Sequence, residues 1–185
     1  MILLRAALLL FLPWLLAGTA AASSLTLEQL LDRPVAPAGV VFEIVDRDPQ
    51  ALEYALPWVR QAAERLEERF PGVPMALVSH GQEMFALQEK GKERNAALHE
   101  QVQSLKRDKG IPVHVCETYA GWKGVAPEAF PSYVDVAPSG PAQINNYIAL
   151  DYQRLVVPRA AVLRKQGKLT SGPTSRRGGG LHRSD

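Results

Sequence analysis

The chain has 185 residues, a formal net charge of +2 and a single cysteine. Its length leaves about one domain's worth of sequence behind an N-terminal leader, enough for one sizeable core. One cysteine excludes an intrachain disulfide framework and leaves a free thiol to explain.

Residues 1–22 carry one early charge, Arg5, then an apolar run from Ala6 to Leu16 and small residues ending in Ala20-Ala21-Ala22. That is the layout of a cleavable secretory signal peptide. The apolar run falls short of the ~20 residues that a bilayer core demands. The expectation is therefore an exported, periplasmic protein with no stable membrane anchor.

Residues 23–38 form a lead-in, with a short helix at TLEQLLD stopped by Pro34 and Pro37. GVVFEIV, Gly39 to Val45, is an apolar β-branched run of strand length. Its poor alternation suits a strand covered on both faces. Asp48 and Pro49 then read as an N-cap and a first-turn proline. From Gln50 to Phe70, Leu52, Ala55, Leu56, Val59, Ala62, Ala63 and Leu66 recur at helical steps. Pro57 is expected to kink or break that helix.

A second strand runs from Val73 to Gly81. The polar stretch from Gln82 to Lys109 reads as two helices with a break near Gly91. Gly110 to Cys116 is a third strand and Ser132 to Gly140 a fourth. A helix follows from Pro141 to Leu150, and YQRLVV, Tyr152 to Val157, is a last short strand. Such alternation implies an α/β fold: a three-layer open sandwich, its mainly parallel sheet of about five strands flanked by helices on both faces. The folded domain is expected over residues 39–163.

From Arg164 onward six basic residues face one acid, a net +5, whereas the rest of the chain after the leader carries 14 bases against 18 acids, a net −4. Residues 164–185, rich in Gly, Ser and Arg, are expected to be a disordered basic tail. No aromatics interleave with those bases, so no nucleic-acid partner is expected.

In an open α/β sheet, ligands sit beyond the carboxyl ends of the strands. That rule selects His80 and Gly81 after the second strand, Cys116 to Thr118 after the third, and Ser139 and Gly140 after the fourth. Cys116 is either a packed core residue or a working thiol. Backbone N–H groups at its turn would favour a thiolate; the adjacent Glu117 carboxylate would oppose it. His114 shares a strand face with Cys116 but lies about 6–7 Å along it, so His80, from another strand, is the better candidate base. One cysteine and four histidines in no ligand spacing give no metal site, and no cofactor motif is present.

VVFEIVD, the strand ending VSHG, GIPVHVCETYAGW and VDVAPSGPAQINNYIALDYQRLVV, in this order, resemble the DsrE/DsrF-like sulfur-relay superfamily over residues 39–157. The resemblance implies a small parallel α/β protein that assembles as a homo-oligomer, trimer or hexamer. It also implies a cysteine, here Cys116 with Thr118 beyond it, that carries sulfur as a persulfide between a donor and an acceptor protein. The leading expectation is a periplasmic sulfur carrier using Cys116, with His80 moving a proton. Against it stand a non-catalytic small-ligand-binding module and an oligomeric assembly module with the tail as docking arm.

Overall fold

The computed structural model describes residues 25–170. The expected leader and the part of the basic tail beyond residue 170 lie outside them. Thr26 opens the first helix, α1 (Leu27–Leu31), with a capping box. Its hydroxyl accepts from the Gln29 N–H while the Gln29 side chain accepts from the Thr26 N–H.

β1 (Gly39–Ile44) is buried along its whole length. Helix α2 (Leu52–Arg69) buries the seven residues of the apolar stripe read from the sequence. Of the expected kink or break at Pro57, the break does not occur: the helix runs continuously through it. Pro57 comes after the first turn, where it removes one N–H and one helical bond, a loss that the buried stripe of α2 offsets. Asp48 is not the N-cap either. Ala51 takes that position without a side-chain bond, and Asp48 Oδ1 instead accepts from the Gln50 N–H in the preceding turn.

β2 (Met75–Ser79) follows. The polar stretch after it begins as two 3-10 turns, Gln82–Leu87 and Glu89–Gly91, rather than a helix, and α3 (Ala96–Lys109) takes up only its second half. Gly110 ends α3 in the left-handed conformation, φ 65°, where glycine carries no Cβ penalty. β3 (Val113–Cys116) runs straight into α4 (Glu117–Trp122). Then come β4 (Asp135–Ala137), α5 (Gly140–Ile148) and β5 (Tyr152–Val156). A last helix, α6 (Ala160–Thr170), extends the folded part past residue 163, so residues 164–170 are helical where a disordered tail was expected. Its buried Ala160 and Leu163 face the core, an anchoring that the charge count of this segment conceals.

The five strands are all parallel, in the order β4-β3-β2-β1-β5. The chain steps outward from β1 to β4, then α5 carries it back across the sheet so that β5 pairs on the far side of β1. Helices α2, α3 and α6 share one face; α5 alone packs on β1, β2, β3 and β5 from the other. Strand alternation sorts the side chains accordingly. Val40, Phe42, Ile44, Leu77 and Leu155 enter the large core under α2, while Val41, Ala76 and Val78 meet Ile144 of α5 in a small second core. A shift of one residue in β1 would exchange the two sets, so its register is strongly specified.

Candidate functional site

Beyond the carboxyl ends of β1, β2 and β5, the loops leaving the strands border a crevice. A cleft of about 560 Å³ lies there. The loop after β1 supplies Val45, Asp46 and Arg47. His80, Gly81 and Gln82 follow β2, Tyr119 comes from α4, and Arg159 precedes α6.

Two carboxylates brace the loops around it. Glu83, fully buried, accepts from the Asp46 N–H at 2.8 Å with one oxygen, and from the Gly81 N–H and Ser79 hydroxyl, both at 2.9 Å, with the other. Burial pushes its carboxyl above the ordinary range despite these donors. Asp46 accepts from the Asp48 N–H at 3.0 Å and from the Ala160 N–H, ahead of α6, at 2.8 Å. Burial works against the Asp46 carboxylate, but these backbone donors and the nearby Arg159 charge outweigh it and hold the carboxyl low. Gly81 is required here by close approach: a Cβ would sit 2.5 Å from the Asp46 carbonyl oxygen.

His80 lines the cleft with its side chain 13% exposed, and its Nε2 lies 2.8 Å from Glu43 Oε1. Arg154 of β5 donates from Nε to the other Glu43 oxygen at 2.5 Å. Glu43 stands on the α5 face of β1, with its neighbours on β2 and β5 supplying the partners. Burial would raise its carboxyl; the hydrogen bonds from His80 and Arg154 more than offset that, and the net shift is downward. His80 is thus committed to Glu43, and no hydrogen bond joins its ring to Cys116.

Cys116 ends β3, is 4% exposed, and does not line this cleft. It is the N-cap of α4, its Sγ accepting the Tyr119 N–H at 3.4 Å. Gly140 brings Cys116 and His80 together. A Cβ on Gly140 would lie 2.5 Å from His80 Cβ and 3.4 Å from Cys116 Cβ, so both residues pack against the start of α5. Ser139 caps that helix, its Oγ accepting from the Ala142 N–H at 3.4 Å. Tyr119, one of the aromatics that follow the cysteine, reaches from α4 to Gln82, its hydroxyl donating to Oε1 at 3.0 Å. Both residues line the cleft, and the Tyr119 N–H is the one that Cys116 Sγ accepts.

The remaining candidates point elsewhere. Thr118 donates both its N–H and its hydroxyl to the Pro138 carbonyl, at 3.2 and 2.6 Å, tying α4 to β4. With the exposed Glu117 it borders a separate depression beside Gly121 and Pro127. His114 Nε2 lies 2.8 Å from the Tyr147 hydroxyl, and burial lowers the imidazole's affinity for a proton. It therefore fastens α5 to β3.

Sequence reasoning missed Glu43, Glu83, Asp46, Arg154 and Arg159. A carboxylate inside GVVFEIV was the available signal for Glu43, since such a residue is seldom fully buried without a partner.

Among the described residues no helix is long and apolar enough to cross a membrane. No family model matches the chain, and no curated protein matches it. Among solved structures the chain is similar to MTH1491, a protein of unknown function from Methanobacterium thermoautotrophicum. The identity is 18%, the match covers 63% of this chain and 96% of that one, and the TM-score is 0.49.

Proposed function

We propose that the protein is an exported, DsrE/DsrF-like sulfur carrier in which Cys116 takes up sulfane sulfur as a persulfide and passes it to an acceptor thiol. One observation carries this reading: Cys116 ends a strand at the carboxyl edge of a parallel sheet, with the Tyr119 N–H directed at its sulfur. A backbone donor of this kind suits an anionic sulfur, whether thiolate or persulfide. In the transfer, the Cys116 thiolate attacks the outer sulfur of a donor persulfide. A new S–S bond forms, the donor's S–S bond breaks, and its electron pair leaves on the donor thiolate, with no net oxidation. His80 serves as a positioning residue, since Glu43 engages its Nε2 and Gly140 packs its Cβ beside the cysteine. Because the thiol is buried, sulfur reaches it only when the Tyr119–Gln82 contact opens.

Mass spectrometry of protein treated with polysulfide should find one added sulfur atom on the peptide containing Cys116, and none after Cys116→Ser. Absence of added sulfur on the folded protein, under conditions that label the unfolded chain, would refute the reading.

A second reading is favoured by the cleft itself, which Cys116 does not line. There Arg47, Arg159, His80 and Tyr119 bind a small polar ligand and the cysteine serves only packing. Ligand binding that survives Cys116→Ala would select it.

A further inference from the structure

A larger groove, about 960 Å³, lies between α2, α3 and α6. Tyr54, Pro57, Trp58 and Leu163 give it an apolar and aromatic lining, and Glu53, Glu64 and Glu100 place three carboxylates along it. Its one guanidinium, Arg60, donates to Ser104 Oγ at 2.5 Å. Glu100 meets Arg107 at 3.6 Å, but Glu53 and Glu64 have no ion-pair partner among the described residues. The groove thus offers a negative rim around half-buried aromatic surface, a combination that attracts arginine through both charge and ring stacking.

We propose that this groove is the docking site of the chain's own basic C-terminal segment, residues 176–183, which contains Arg176, Arg177, Leu181 and Arg183. Charge complementarity is the first argument: the segment is basic where the rim is acidic. Reach is the second. Leu163 lies in the groove wall, and α6 carries the chain about 10 Å beyond it by Thr170. The six residues from Thr170 to Arg176 span up to about 20 Å, so the paired arginines return to the groove whichever way α6 points. The groove itself, from Glu53 to Glu64 along α2, is about 16 Å long, a length the segment 176–183 covers when extended. Already within α6, Arg164 lies over the Tyr54 ring, 4.7 Å from its centroid, and pairs with Asp48. The same contacts, cation over ring and guanidinium on carboxylate, extend along the groove when Arg176 and Arg177 enter it.

The test uses the full chain with benzoylphenylalanine in place of Leu181, irradiated and mapped by mass spectrometry. Cross-links are expected within one chain, on the segments Glu53–Glu64 of α2 or Glu100–Ser104 of α3. Their yield should fall about fivefold or more in roughly 0.5 M salt, where screening acts within about 4 Å. It should fall likewise in the triple variant Arg176→Glu, Arg177→Glu, Arg183→Glu, and independently in Glu53→Gln, Glu64→Gln, Glu100→Gln. Mixing light and heavy-isotope protein separates the alternatives. Cross-links that join two chains, map elsewhere, fail to form, or persist in both charge variants overturn the proposal.

Discussion

Replacing Arg154 by Met tests the buried cluster behind the candidate site. Met retains much of the apolar stem and removes the guanidinium, leaving the Glu43 carboxylate, 5% exposed, with His80 alone. Breaking a fully buried pair costs about 3–5 kcal/mol. Here the arginine side chain is 45% exposed, so water already screens part of the interaction. The expected loss is about 2 kcal/mol, within the range for a hydrogen bond to a charged group. For a domain of this size that is a fall of roughly 4–8 °C in Tm. The loss also has a pH signature. In the native protein the Glu43 carboxyl is held low, so its contribution is complete above the unfolded value, about 4.3, and disappears as pH falls through the folded value. Without Arg154, burial meets less opposition, the carboxyl rises, and the variant recovers relative to the native protein as it protonates. Thermal melts should therefore show the widest gap near neutral pH and a narrowing gap below about pH 4.5. A gap that is the same at both ends, or below about 0.5 kcal/mol throughout, would refute the assignment of Arg154 as the counter-charge that keeps Glu43 ionised.

Three further changes probe the same architecture. Glu83→Gln puts an amide N–H₂ against one of the N–H donors of Asp46 and Gly81 and should cost about 1–3 kcal/mol in urea unfolding. Because burial raises the Glu83 carboxyl, the native protein loses that contribution as pH rises through the folded value, so the cost should be greatest in acid and shrink towards neutrality. Gly140→Ala drives a methyl into His80 Cβ and should cost about 1–3 kcal/mol by overpacking, read as a lower denaturation midpoint with an unchanged slope. Tyr147→Phe removes the bond to His114 while keeping the ring beside Tyr152, so a loss of about 1 kcal/mol is expected from the same measurement.

The fold was legible because its strongest signals are local. The α2 stripe named seven residues that all became buried, and β1 announced itself as an apolar β-branched run of strand length. Boundaries were less legible where tertiary packing overrides propensity. Pro57 stays inside α2 because the face around it is fixed to the sheet, and α6 continues through Arg164 and Lys165 because Leu163 is anchored beneath it. The site was half legible. The strand-end rule brought His80, Gly81, Cys116 and Gly140 to one edge, but it says nothing of strand order. Only with β5 beside β1 do Arg154 and Glu43 become neighbours, more than a hundred residues apart in the chain.

That same strand order explains how the cleft presents itself. At most carboxyl edges the loop N–H groups are the donors that greet a ligand. In this protein the N–H groups of Asp46 and Gly81 are taken by Glu83, that of Ala160 by Asp46, and that of Gln82 by the Asp46 carbonyl. The backbone is thereby locked, and the cleft's chemistry passes to side chains: Arg47 and Arg159 as cations, His80 held by Glu43, and Tyr119 spanning the gap to Cys116. Under the proposed function, access of a sulfur-transfer partner to the thiol would rest on Tyr119. With its hydroxyl on Gln82, Tyr119 lines a polar cleft that does not include the thiol, and opening of that bond is the expected route by which Cys116 would be reached. Tyr119→Phe should raise the rate of Cys116 alkylation in the folded protein, and an unchanged rate would assign thiol access to another element.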